Sequence, residues 1–174
     1  IGKTEVAVAL ARRLPAEIVV IDSMQVYRGM EIGTGKPDAR LRREVPHHGL
    51  DLVEPEEEFS AAQYVKAVSP AVASIRARGL LPIMVGGSGL YFKALVDGLC
   101  RAPPKNATLR EKLSEQVQAE GAEALHKKLS EVDPVSAGRI HPNDARRIIR
   151  ALEVFLQTGR ALSDWQAQGA ALSG

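Results

Sequence analysis

With 174 residues, 45% of them hydrophobic and 25% charged, the chain has the balance of a globular domain with a core to bury and a sizeable attachment. Its single cysteine, Cys100, excludes an internal disulfide and a cysteine-rich metal site, and fits a reducing compartment. No stretch approaches the roughly 18 consecutive apolar residues of a membrane span and no charged segment leads into a signal core, so a cytoplasmic protein without a membrane partner is expected. The net charge of +2 announces nucleic-acid binding only if basic residues gather on one face.

In chain order, Gly2-Lys3-Thr4 leads into Val6, Val8, Ala9, Leu10 and Leu14, an apolar pattern at helical spacing that stops before Pro15. The strand and glycine loop that usually precede such a helix are expected upstream of Ile1. Glu17-Ile18-Val19-Val20-Ile21-Asp22 is a short β-branched run of the kind found in a buried parallel strand, with Asp22 at its C-terminal end. Residues 29 to 38 read as a glycine-rich loop and Gly49-Leu50-Asp51-Leu52-Val53 as a second short strand. Ser60 caps a helix running to about Arg78, Gly79 stops it, and Pro70 predicts a kink or a break in its middle. Leu80 to Val85 is another buried strand, followed by Gly86-Gly87-Ser88-Gly89 and a helix from near Leu90. This alternation predicts a three-layer α/β domain with a mostly parallel sheet.

From Pro103-Pro104 onward the character changes: Leu109 to Glu120, Ala122 to Ser130 and Asp144 to Gln157 read as helices, with no strand among them. The last has Asn143 or Asp144 as its cap, Gly159 as its stop and an apolar stripe of Ile148, Ile149, Leu152 and Leu156. After Trp165 no closing element is evident, and further core is expected beyond residue 174. The chain thus divides into an α/β core over 1–102, a helical insertion over 103–165 and a tail over 166–174.

Three segments carry chemistry at the sheet edge. Gly2-Lys3-Thr4 at a helix start matches the end of a phosphate-binding loop, where N–H groups attract anions, lysine reaches phosphate oxygens and threonine binds Mg²⁺; an ordinary capped helix with an exposed lysine is the alternative. Asp22-Ser23-Met24-Gln25 places a carboxylate and hydrogen-bonding groups at the C-terminal edge of a strand, where open α/β sheets bind ligands, although Asp22 could equally cap a turn. Gly86-Gly87-Ser88-Gly89 supplies a second glycine turn on that edge, either for close approach to a ligand or as a bare connection. Arg139, His141, Arg146, Arg147 and Arg150 form a basic cluster in the helical part, fit to grip a polynucleotide backbone or to remain a solvated face paired with Glu153. His47 and His48 are adjacent, point to opposite sides in a strand and read as structural.

Together, Gly-Lys-Thr, Asp-Ser-Met-Gln-Val-Tyr-Arg-Gly-Met-Glu-Ile-Gly-Thr-Gly-Lys-Pro, Pro-His-His, Gly-Gly-Ser-Gly-Leu-Tyr and Arg-Ile-His-Pro-Asn-Asp-Ala-Arg-Arg-Ile-Ile-Arg-Ala-Leu-Glu-Val resemble the tRNA dimethylallyltransferases in order and spacing over nearly the whole chain. The resemblance implies a P-loop NTPase-like three-layer parallel sheet with a helical insertion, acting as a monomer. It implies transfer of a dimethylallyl group from dimethylallyl diphosphate to N6 of adenine 37 in tRNAs reading codons that begin with U. Carried over by position, Gly2, Lys3 and Thr4 would hold the diphosphate and Mg²⁺, and Asp22 would take the N6 proton. Ser23, Met24 and Gln25 would line the adenine pocket, and Ser88, Arg110 and the segment Arg146, Arg147, Ile148, Ile149, Arg150 would touch the anticodon stem-loop. Ser88 stands where the family usually has Thr and Arg146 where it commonly has Gln, which shifts that contact toward phosphate. The rival expectations are an adenylate prenyltransferase or a P-loop kinase of the same ancestry and, from another class, a non-catalytic tRNA-binding module.

Overall fold

The computed structural model describes residues 2–100 and 102–171. They fall into two compact units that divide between Asp97 and Gly98, ahead of the Pro103-Pro104 pair. No helix among the described residues is long and apolar enough to cross a membrane.

The first unit is a mixed α/β arrangement on a parallel sheet of three strands, in the order β2-β1-β3. Strand β1 (Ala16–Ile21) is central; it pairs in parallel with β3 (Leu81–Gly86) along its length and with the two-residue β2 (His47–His48) near its start. Because side chains alternate along a strand, β1 divides its apolar residues between the two faces. Ile18 and Val20 pack with Ala7, Val8 and Ala11 of helix α1 (Lys3–Ala11) and with Val45, just after α2 (Ala39–Glu44). Val19 and Ile21 pack on the other face with Tyr64, Val68 and Ile75 of α3 (Ala61–Ala77) and Tyr91 of α4 (Gly89–Val96). The buried Tyr64 hydroxyl donates to the Val20 carbonyl at 2.7 Å, and its ring stacks on Tyr91 with centroids 4.4 Å apart.

Two expectations need correcting. Residues 49–53 do not form a strand; β2 lies just before them, and Val53 makes only an isolated parallel bridge to Tyr27. The reason is backbone conformation: Gly49 and Asp51 have φ of 88° and 53°, both left-handed, and a Cβ at Gly49 would stand 2.6 Å from the Val20 carbonyl oxygen. Nor does Pro70 break its helix, which runs on to Ala77. Proline removes one ladder N–H and its ring crowds the carbonyl four residues back, but Tyr64 and Val68 before it and Ile75 after it all pack against the sheet, so the helix continues through it. Ser60 and Gln63 form the reciprocal capping box that starts α3.

At the amino end of β1, buried Glu17 accepts from Arg78 Nη2 at 2.9 Å and lies 2.7 Å from His48 Nε2. The Arg78 hydrogen bond, opposed by burial and aided by His48, lowers the Glu17 carboxyl from 4.5 to about 2.

The second unit is helical: α5 (Ala107–Glu120), α6 (Ala122–Val132), the single turn α7 (Pro134–Ala137), α8 (Ala145–Thr158) and α9 (Leu162–Ala171). Leu113, Leu125, Leu129, Ile148, Ala151, Leu152, Val154 and Leu162 form its core. Asp144 is the cap of α8, its Oδ1 accepting from Arg147 N at 3.1 Å, and Gly159 closes that helix at φ 68°. The α9 helix occupies the stretch where the sequence shows no closing element. It is tied in by buried Asp133, which caps α7 through Ser136 N at 2.9 Å and receives Ser163 N at 3.0 Å.

Candidate active site

Strands β1 and β3 end together, Ile21 opposite Gly86, so the turns that leave them meet at the carboxyl edge of the sheet. A Cβ on Gly86 would stand 1.9 Å from the Ile21 carbonyl oxygen, so only glycine allows this approach. Gly87 comes next, and a Cβ there would lie 3.6 Å from Lys3 Nζ and 3.8 Å from Asp22 Oδ2. A lysine ammonium and a carboxylate oxygen therefore flank one small space beside a residue with no side chain.

Each flanking group is held. Lys3 Nζ donates to the Gly86 carbonyl at 3.1 Å, which draws the first residue of α1 to the sheet edge. Gly2 precedes it with φ 82°, and no side chain caps α1, so the N–H groups of its first turn are open to an anion. Asp22 Oδ1 accepts from Met24 N at 2.9 Å, a local turn bond that leaves Oδ2 on the Gly87 side. Burial, then Tyr27 and Asp22, push the Tyr91 phenol upward, so the Asp22 charge is felt at that ring. Ser88 joins the two turns: its Oγ accepts from Ser23 N at 2.8 Å and donates to Ser23 Oγ at 3.1 Å. The structure thus gathers Lys3, Asp22, Ser23 and Ser88 at one edge, with half-buried Thr4 next to Lys3 in sequence.

Met24 and Gln25 diverge. Met24 is 47% exposed, whereas Gln25 is buried and its Nε2 donates to the Thr34 carbonyl at 3.0 Å. Gln25 thus fastens the 29–37 loop beneath the segment that bears Asp22. A glutamine beside a run of glycines is a weak sequence signal for such an anchor.

In the helical unit the basic cluster is organised by a residue that sequence reading placed at the solvent surface. Glu153 is fully buried and accepts from Arg110 Nε at 2.9 Å, Arg150 Nη1 at 2.7 Å and Asn106 N at 2.7 Å. Burial raises its carboxyl, but the bonds from Arg110, Arg150 and Asn106 outweigh it, and the net shift is downward. The solvated-face alternative is corrected at Glu153 alone: apolar packing of α8 against α5 and α6 carries Glu153 inward, and Arg110 and Arg150 pair with it there, while Arg139, His141, Arg146 and Arg147 remain exposed. Arg150 also donates to the Pro103 carbonyl at 2.8 Å. Arg146 and Arg147 stay exposed, Arg147 near its own cap residue Asp144 at 3.4 Å. Within the 146–150 segment, Ile148 has its side chain in the core at 0% exposure, and Ile149 packs half-buried against the same core. A depression of about 340 Å³ between α5, α6 and α8 has an apolar floor of Leu113, Val132, Leu152 and Phe155 and a rim that includes Lys112, Lys128 and Glu131.

Among the described residues no group of three or more His, Cys, Asp or Glu side chains could hold a metal ion. A hydroxyl beside an anion-binding helix start, as at Thr4, suits a hard cation that brings further oxygens with its ligand.

Several known proteins are similar to this chain. The tRNA dimethylallyltransferase of Geobacter sulfurreducens is 50% identical over 167 residues, 96% of this chain and 54% of the relative. That of Methylibium petroleiphilum is 53% identical over 166 residues, 95% of this chain and 51% of the relative. The chain thus spans about half the length of the curated relatives it matches. Among solved structures, the full-length tRNA isopentenylpyrophosphate transferase of Bacillus halodurans is similar with a TM-score of 0.57 and 45% identity, covering 91% of this chain and 53% of that one. A eukaryotic dimethylallyltransferase acting on tRNA is similar with a TM-score of 0.71 and 29% identity, covering 96% of this chain and 42% of that one. With the IPP transferase family model matching residues 25–173, from the Gln25 anchor through the Glu153 cluster, the chain belongs to the IPP transferase family.

Proposed function

We propose that the protein transfers a dimethylallyl group from dimethylallyl diphosphate to N6 of adenine 37 in tRNAs reading codons that begin with U. The observation that carries this reading is that Lys3 Nζ and Asp22 Oδ2 both lie within 4 Å of the Cβ position that Gly87 leaves empty at the sheet's carboxyl edge. In this reading the first unit is a P-loop-like core. Lys3 and the N–H groups of the first turn of α1 bind the diphosphate oxygens. The Thr4 hydroxyl, with oxygens of the diphosphate, would hold Mg²⁺, which neutralises charge on the departing group.

The reaction forms a bond from N6 to the first carbon of the dimethylallyl group and breaks that carbon's bond to the diphosphate oxygen. N6 loses a proton as it alkylates, and Asp22 Oδ2 accepts it; a positioned base of this kind contributes about 10²- to 10⁴-fold. The adenine must leave the anticodon stack to reach the edge, at a cost of a few kcal/mol, and Ser23 and Met24 border the place it enters. Gln25 serves that place from below, through the loop it holds. Ser88 keeps the two turns together, and exposed Arg146 and Arg147 meet the stem-loop phosphates, with Arg110 and Arg150 behind them on Glu153. The protein then works in the cytoplasm, as a monomer, with tRNA and dimethylallyl diphosphate as partners. The similarity to tRNA dimethylallyltransferases and tRNA isopentenylpyrophosphate transferases supports this activity, and about half the length of those relatives lies outside the matched part.

The test is transfer of radiolabelled dimethylallyl to an anticodon stem-loop carrying A36-A37-A38, by the complete protein that contains this chain, with AMP as competing acceptor. Label on the stem-loop is expected. Label on AMP alone overturns the reading in favour of an adenylate prenyltransferase, and label on neither favours a kinase or a binding module.

A further inference from the structure

Lys36 is a lysine whose side chain is completely buried, far down the glycine-rich loop and with no part in the chemistry above. Its Nζ donates to the Tyr27 carbonyl at 2.6 Å and to Asp51 Oδ1 at 2.8 Å, and Glu31 Oε1 lies 3.5 Å away. Two of the three ammonium donors are thus taken by hydrogen bonds, and Glu31 adds a second opposite charge. Asp51 is itself fixed from several sides: Oδ2 accepts from Arg42 Nη1 at 2.7 Å, its carbonyl from Arg28 Nε at 3.0 Å, and its N–H donates to the Gln25 carbonyl at 3.3 Å. It is also a non-glycine residue with positive φ, at 53°, a conformation that persists only where surroundings over-determine it. The contacts converge on the segment from Gln25 to Arg28, which continues directly from Asp22, Ser23 and Met24. Leu52 N donates to the Val26 carbonyl at 2.6 Å and Arg28 N to the Val53 carbonyl at 2.8 Å, so this segment lies in a short ladder with 51–53. Lys36 crosses that ladder, grips the carbonyl of Tyr27 and carries the loop whose Thr34 carbonyl holds Gln25.

We propose that Lys36 is a positioning residue for prenyl transfer: its clamp on Tyr27 and Asp51 fixes the segment that presents Asp22 and the adenine-facing side chains. This rests on the function proposed above. Lys36 touches neither substrate. It acts on acceptor geometry and leaves the diphosphate site, built on α1 and Gly86, alone. A displacement near 1 Å at a reacting group costs on the order of 100-fold in rate, so loss of the clamp lowers turnover on RNA without loosening dimethylallyl diphosphate.

The test compares the complete wild-type protein with Lys36→Met and with Ile75→Ala, a control that opens a cavity in the core under the same sheet, at a temperature where all three are folded. The expected result is a fall in kcat with the stem-loop of roughly 10- to 100-fold for Lys36→Met, an unchanged KM for dimethylallyl diphosphate, and faster amide exchange over residues 22–28. Ile75→Ala keeps wild-type kinetics. Should Lys36→Met not fold, Asp51→Ala, which removes the anchor and leaves the lysine, is read in the same way. Wild-type turnover in the clamp variant, unchanged exchange over 22–28, or an equal loss of dimethylallyl diphosphate binding overturns the inference. A wild-type protein that labels no RNA overturns the parent reading and this one with it, whereas the first three outcomes remove the clamp alone.

Discussion

Glu153→Gln is the substitution whose consequences can be worked furthest. The carboxylate has no exposed surface, yet it neutralises Arg110 and Arg150, whose side chains are 31% and 29% exposed. Glutamine keeps the shape, loses the charge and turns an N–H₂ toward guanidinium donors, so at least one accepted bond of the four from Arg110, Arg150 and Asn106 is replaced by donor facing donor. Removing one partner of a buried pair costs about 3–5 kcal/mol. Both arginines can swing toward water, which argues for the lower end, about 3 kcal/mol. For a folding unit of this size each kcal/mol moves Tm by about 4–8 °C, so the helical unit should melt at least ~12 °C earlier. The assay is thermal unfolding of the complete protein followed by circular dichroism. Replacing Glu153, Arg110 and Arg150 together by methionine should recover most of the loss, because no buried charge is then left alone. A Glu153→Gln protein that melts within about 2 °C of wild type would refute the reasoning, since it would mean water already satisfies both arginines.

Asp22→Ala should lower transfer by about 10²- to 10⁴-fold while stem-loop affinity stays within a few-fold, measured by single-turnover labelling beside a filter-binding titration. Normal turnover would end its assignment as the base. Arg146→Ala should weaken stem-loop binding across sequences alike and reduce the slope of log affinity against log salt by about 0.7 to 1, because one phosphate contact is lost; an unchanged slope would place that arginine off the RNA. The folded Glu17 carboxyl lies at about 2, below its ordinary 4.5, so its stabilising contribution is fully present above pH 4.5 and is lost as pH falls through 2. Urea midpoints measured from pH 6 to pH 2 should therefore fall less steeply for Glu17→Gln than for wild type, and parallel curves would contradict the Arg78 pairing.

The strands and long helices were legible because their signals are local. The β-branched run at 18–21, the apolar run at 80–85 (expected buried, found half-buried with Leu81 exposed), the Ser60 cap with Gln63, and Gly159 after an apolar stripe each act within a few residues. The convergence of Lys3, Asp22 and Ser88 was legible through topology, since parallel strands end on one edge. Three things were hidden. Glu153 looks like a surface partner of Arg150 until Arg110, 43 positions away, closes over it. Lys36 looks like a loop lysine until Asp51, 15 positions on, receives it. The short strand sits at 47–48 because Gly49 and Asp51 take left-handed backbone, which alternation of apolar residues cannot reveal for an aspartate. The first two depend on a pairing distant in sequence, and a buried charge announces its partner only in three dimensions.

That same rule separates the candidate base from the other carboxylates. Burial makes an unpaired carboxylate costly, so a buried acid must be matched by cations or N–H groups, and matching consumes the lone pairs a base would use. Glu17 is matched by Arg78 and His48, Asp51 by Lys36 and Arg42, Asp133 by Ser136 and Ser163 N, and Glu153 by Arg110, Arg150 and Asn106 N. All four carboxyls are shifted downward, which makes them poor proton acceptors at neutral pH. Asp22 is different in kind: half-buried, it accepts one backbone N–H on Oδ1, while Oδ2 stands at the open edge opposite the lysine. A carboxylate can serve as base only where it is oriented by some other bond and still has an oxygen to offer. Around this sheet, the turn after β1 provides that combination, and the ladder of 51–53 together with Lys36 keeps it in place.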